Sequence, residues 1–182
     1  MAFQDLKNED KVFIRTVFKE MRKNVQGYVS ERAFSMSNAQ LFTFLSNAPA
    51  ALAVSSDGTV DNAEIAALEQ LSKAIDVNQS VNMELQEMVS VAGEPDDCMI
   101  NEEFNLRVGS ELLYLSRNFS TYETEFIEAI KALLTFDFSP ENDGSLTAAF
   151  RKLMDDVVEN NFSKDKEAEQ KKVDELKQKL GI

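Results

Sequence analysis

Over residues 9–25 the chain places Phe13, Val17, Met21 and Val25 four residues apart, with Ile14 and Phe18 beside them. Apolar side chains at that spacing share one face of an α-helix and would scatter over both faces of a strand. The pattern recurs in most of the chain. Only 6 Gly and 3 Pro occur among 182 residues, too few to punctuate a many-stranded sandwich or barrel. Leu, Ala, Glu, Lys, Gln and Met, all good helix formers, are plentiful. The expected fold class is therefore all-α, a bundle of about seven to eight helices.

The 43% apolar and 28% charged content is that of a globular chain, which argues against wholesale disorder. A formal charge of -13 repels nucleic-acid phosphates and anionic lipid headgroups, so no nucleic-acid partner is expected. The lone Cys98 cannot form an internal disulfide, and the absence of His removes Ser-His and Cys-His catalysis and the usual zinc sites. The first residues lack a basic stretch followed by an apolar one, and no run approaches the roughly 20 apolar residues of a membrane span. These readings favour a cytoplasmic protein with no direct membrane insertion.

In chain order, the first helix covers 9–25, and its outward Lys19, Arg22 and Lys23 form the most basic spot, read most simply as a solvated face. A turn is expected around Gln26, Gly27 and Tyr28, and 29–36 carries no clear assignment. Ser37 with Gln40 three residues on is a capping box, followed by a stripe of Leu41, Phe42, Phe44, Leu45, Ala48 and Leu52. Pro49 predicts a kink or a break near Asn47. Asp61 as N-cap opens a helix with Ile65, Leu68, Leu71 and Ile75, and Val81, Leu85, Met88, Val89 and Ala92 form another that closes at Gly93.

Residues 93–97 are the clearest linker. After it, Asn101 caps a helix with Phe104, Val108, Leu112 and Leu113 on one face. Phe104, Val108, Leu112 and Ser116 match Phe44, Ala48, Leu52 and Ser56 at an offset of 60. Glu123, Phe126, Ile127 and Ile130 then match Glu64, Ala67, Leu68 and Leu71, and Leu146, Phe150, Leu153 and Met154 open a third helix after an acidic loop at 137–144. Two pseudo-symmetric three-helix units are expected, about 37–93 and 101–161, within a single domain over 1–162. Residues 163–182 read as a polar C-terminal helix or tail. Its stripe of Ala168, Val173, Leu176 and Leu180 is thin, suited to lying across the bundle or pairing with a partner helix, with fraying expected and i,i+4 pairs at Glu167–Lys171 and Glu175–Lys179.

Chemistry concentrates at 52–65. In the frame of a twelve-residue EF-hand loop, Asp57 falls at position five, Gly58 at the sharp turn, Val60 at the apolar eighth, Asp61 at nine and Glu64 at the bidentate twelfth. Ala53 at the first position and Ser55 at the third leave only three carboxylates. Asp57, Asp61 and Glu64 are the candidate metal ligands, for a hard cation such as Ca²⁺, Mg²⁺ or Mn²⁺. Turn and cap chemistry accounts for the same residues without a metal. In the second unit Arg117 and Asn118 stand where Asp57 and Gly58 would.

The run Ser56-Asp57-Gly58-Thr59-Val60-Asp61-Asn62-Ala63-Glu64-Ile65-Ala66-Ala67-Leu68 resembles the A-D-G-x-(V/I)-x-x-x-E signature of TerB-like (tellurite-resistance protein B) domains, over about 37–160. The resemblance implies an all-helical, pseudo-symmetric fold, with Asp57 and Glu64 gathering a cation and Asp61 as a neighbour. It also implies a non-enzymatic role in bacterial stress-response or envelope-associated complexes, through protein partners. Ser56 departs from the usual Ala, and Arg117 interrupts the second copy. The alternatives are a purely structural interaction module using the 163–180 tail, a degenerate EF-hand-like Ca²⁺ binder, and an enzyme. For an enzyme, Glu123 and Glu125 are the nearest thing to paired carboxylates, although their spacing sets them on different faces of a helix.

Overall fold

The structure, a computed structural model, describes residues 7–54, 62, 102–135, 145–160 and 166–182. Among the described residues every regular element is helical. They are α1 (Asn8–Asn24), α2 (Gln26–Arg32), α3 (Asn38–Val54), α4 (Glu102–Arg117), α5 (Phe119–Leu134), α6 (Ser145–Asn160) and α7 (Lys166–Leu180).

Helix α3 is apolar on nearly every side, and such a helix is stable only when surrounded. It packs against α4, α5, α6 and α7, while α1 lies on α5. Leu41 to Leu45, Ala48 and Ala50 to Val54 are all buried. Of the kink or break expected near Asn47, the break does not occur, and α3 runs from Asn38 to Val54 with Pro49 inside it. An interior proline costs about 3 kcal/mol or more. Burying Phe44, Leu45 and Leu52 completely contributes roughly 1.5–3 kcal/mol each, which outweighs that cost. The turn before the proline also uses side chains as donors, from Ser46 Oγ to the Phe42 carbonyl and from Asn47 Nδ2 to the Thr43 carbonyl, both at 2.7 Å.

The capping box forms as expected. Ser37 N–H donates to Gln40 Oε1 at 2.9 Å, and Gln40 N–H donates to Ser37 Oγ at 3.2 Å. The expected turn at 26–28 is instead the start of α2, separated from α1 by Val25 alone. A β-branched residue and a glycine gave no helix signal there. The helix is held from outside, because Glu125 of α5 accepts the Tyr28 N–H at 3.0 Å. Gly27 admits that carboxylate, which a Cβ at this position would overlap. Ala33, at φ 49°, ends α2 in the left-handed region, with the Phe34 N–H bonded back to the Val29 carbonyl at 3.0 Å.

Phe44, Ala48 and Leu52 on α3 and Phe104, Val108 and Leu112 on α4 are all buried, and the two helices pack on each other. The rest of the first unit, apart from Asn62, lies outside the described residues, as do the linker at 93–97 and the loop at 137–144.

Helix α7 docks on α6, α5 and α3. Its buried face is Glu169, Val173, Leu176 and Leu180, so Glu169 takes the place expected for Ala168, which is exposed. Lys179, expected to pair with Glu175, reaches Glu123 of α5. Gly181, at φ 77°, closes the helix with the Ile182 N–H on the Lys177 carbonyl at 3.0 Å.

Candidate functional site

Asp57, Asp61 and Glu64 lie outside the described residues. What precedes them is described as far as Val54, which is buried in the core as the last described residue of α3. The counterpart of the 57–64 stretch in the second unit is a one-residue break. Arg117 is exposed at the end of α4, and Asn118 turns the chain, its Nδ2 donating to the Tyr114 carbonyl at 2.9 Å. Among the described residues no group of three or more Asp, Glu, Cys or His side chains converges to hold a metal ion.

The ionisable cluster that does converge centres on Glu111, which is 1% exposed. Residues Phe104, Val108, Glu111, Leu112 and Leu115 follow helical spacing, so α4 carries one carboxylate on its buried stripe. A buried charge must find partners, and this one finds four nitrogen and oxygen donors. Tyr28 Oη donates to Oε2 at 2.7 Å, and Arg32 donates from Nε to Oε2 at 2.9 Å and from Nη2 to Oε1 at 3.1 Å. Arg107, one turn before on α4, places Nε 2.9 Å from Oε1. A carboxylate has about four lone-pair sites, so this one is saturated.

The cations are fixed in turn. The Arg32 guanidinium lies over the Tyr114 ring at 3.7 Å, and that of Arg107 faces the Phe34 ring at 5.2 Å. Arg107 Nη2 also donates to the Arg32 carbonyl at 3.0 Å, satisfying a carbonyl at the end of α2. Beneath them the Tyr28 ring is fully buried, edge-on to Tyr122 and Phe126 with centroids 4.9 and 5.0 Å away and stacked on Phe44 at 5.8 Å. Tyr114 and Tyr122 hydroxyls stand 3.5 Å apart.

Burial pushes the Glu111 carboxyl upward, but the hydrogen bonds from Arg32 and Tyr28 and the charges of Arg32 and Arg107 together outweigh it and hold it below the usual range. Burial, then the bond to Glu111, pushes the Tyr28 phenol well above its ordinary value. The Tyr122 phenol is raised too, first by its bond to Tyr114, then by burial and a bond to Glu31. Both phenols therefore stay protonated and serve as donors or ring surface. The cluster fastens α2 to α4, and with Glu125 on the Tyr28 N–H it also ties α2 to α5. Glu123 and Glu125 go to different partners, Lys179 and Tyr28.

Sequence reasoning missed Glu111, Arg32, Arg107 and Tyr28, and it singled out Glu125 beside Glu123 without its bond to the Tyr28 N–H. A usable signal was present for two of them: a glutamate interrupting the apolar stripe, with an arginine one turn before it. No protein-family model, curated protein or solved structure matches the chain. Among the described residues no helix is long and apolar enough to cross a membrane.

Proposed function

We propose that the chain is a non-enzymatic, TerB-like helical scaffold or binding protein of a bacterial stress-response or envelope-associated system. It acts through protein partners and binds a hard divalent cation weakly at Asp57, Asp61 and Glu64. The observation that supports this most is the join between the signature and the core. The signature begins two residues after Val54, which is buried in the central helix α3, so a cation held at 57–64 would be linked to the bundle core by a short stretch of chain. The saturated Glu111 cluster agrees with a scaffold, since its ionised groups are committed to joining helices. Of the alternatives, the one that relies on the 163–180 tail has less support, because Val173, Leu176 and Leu180 are already packed against the chain's own helices.

The test is a melting curve in chelator and in millimolar Ca²⁺, Mg²⁺ or Mn²⁺. A cation at 100 times its dissociation constant stabilises the fold by about 2.7 kcal/mol, which raises the melting temperature by several degrees. The expected result is a rise for the parent chain and none for Asp57→Asn with Glu64→Gln. An unchanged melting temperature with all three ions, or an equal rise in the double variant, overturns the cation site.

A further inference from the structure

The outward face of α1 carries Arg15, Lys19, Arg22 and Lys23, all exposed and spaced i, i+4, i+7 and i+8, so they form one stripe. Over its length α1 has five cations, those four and Lys11, against three acids, a local net of +2 in a chain of -13. Two of the acids, Glu9 and Asp10, sit in the first turn at the far end, and the third, Glu20, lies 3.6 Å from Lys23.

The stripe runs into a cavity. Arg22 reaches from α1 to the start of α3, donating from Nη1 to the Met36 carbonyl at 2.7 Å and holding the Asn38 side chain with Nε and Nη2. This bridge borders a cleft of about 230 Å³ between α1, α2 and the segment before α3. Val25, Val29, Met36 and Leu41 supply its apolar lining, with Lys23 and Ser35 exposed at its edge. Near the other end of α1, Val12 and Phe13 are exposed at 62% and 41%.

We propose that this face docks an acidic segment of a partner protein that carries one bulky apolar side chain. The charges select acid, and the cleft accepts the apolar residue, because its walls are apolar while its edge is cationic. Screening over about 8 Å at physiological salt lets the stripe act on a contacting segment despite the opposite net charge of the rest of the chain. At 1.5 Å per helical residue, Val12 and Lys23 are about 16 Å apart along the axis, a span covered by about five extended residues. A flat anionic membrane suits the face less well, since it would meet the whole field of the -13 chain and has no single side chain to place in the cleft. The surface is separate from the 57–64 stretch and needs no cation.

Fluorescence anisotropy with a fluorescein-labelled DEEFDEE peptide, in EDTA, tests it on the full chain. Saturable binding that weakens with NaCl is expected, with DEEADEE binding more weakly. Lys19→Glu with Lys23→Glu, both at exposed positions, should weaken binding by about tenfold or more. Ser35→Trp, filling the cleft from its edge, should remove the preference for the phenylalanine peptide while circular dichroism stays that of the parent. No saturable binding of DEEFDEE, equal binding of the two peptides, undiminished binding by the charge-reversed variant, or binding to phosphatidylserine vesicles in its place overturns the proposal.

Discussion

Among the described residues two sets of ion pairs join helices, and they differ in what surrounds them. At the junction of α2 and α4, Glu111 is sealed from water and every lone pair meets a donor. Where α7 meets α5 and α6, Lys179 pairs with Glu123 and Lys177 with Asp155, but most of these groups remain partly exposed. The second set adds little beyond the apolar contacts of Val173, Leu176 and Leu180, because water competes for both partners. In the first set water has no access to the carboxylate, although Arg32 and Arg107 keep 29% and 44% of their side chains exposed, so the loss of its donors strands a buried charge. The same residue types therefore make a fastener in one place and a rim in the other, and burial decides which.

The comparison breaks most sharply at Glu111. Glu111→Ala should destabilise the fold by about 3–5 kcal/mol, read from urea unfolding, because it takes the shared carboxylate from Arg32 and Arg107 and leaves the buried Tyr28 hydroxyl only the longer contact to the residue 111 carbonyl, at 3.2 Å. A loss under 1 kcal/mol would place the cluster with the surface pairs. Tyr28→Phe should cost less, about 1.5–3 kcal/mol, the usual value of a hydrogen bond to a charged group.

The pH profile separates the two ends of the same bond. The Glu111 carboxyl is depressed in the folded chain, so its contribution is present above the ordinary carboxylate range and is lost as pH falls through the lower folded value. The Tyr28 phenol is raised, so its contribution is complete below its ordinary value of 10.0 and is lost as pH climbs beyond that. Unfolding followed from pH 7 to 11 should show an alkaline loss of stability that is smaller in Tyr28→Phe; identical profiles would count against the assignment.

Smaller effects sharpen the contrast. Ala33 and Gly181 close α2 and α7 with the same left-handed turn, one with a side chain and one without. Ala33→Gly should stabilise the protein by about 1 kcal/mol, a rise in thermal midpoint of a few degrees. Lys179→Ala should change stability by about 0–1 kcal/mol, and any such loss should shrink in high salt.

Much of the architecture could be read from local spacing. The stripe of α1, the capping box at Ser37 and Gln40, and the buried faces of α4, α5 and α6 depend on periodicity within one turn or two, which the chain carries in itself. Helix α2 could not be read this way, since its first turn is held by Glu125, 97 residues away from Tyr28. The unbroken course of α3 through Pro49 was also hidden, because a proline's local cost is visible in sequence and the burial that offsets it is not.

The candidate sites divide along the same line. Asp57, Asp61 and Glu64 stand out because their spacing is short. Glu111, Arg32 and Tyr28 do not, because they meet only when α2 folds back on α4. The sequence by itself determined that this chain is all-α and where most of its helices turn their apolar faces. The tertiary structure alone decided which charges are partners, because the strength of a pair depends on the water that other helices exclude from it.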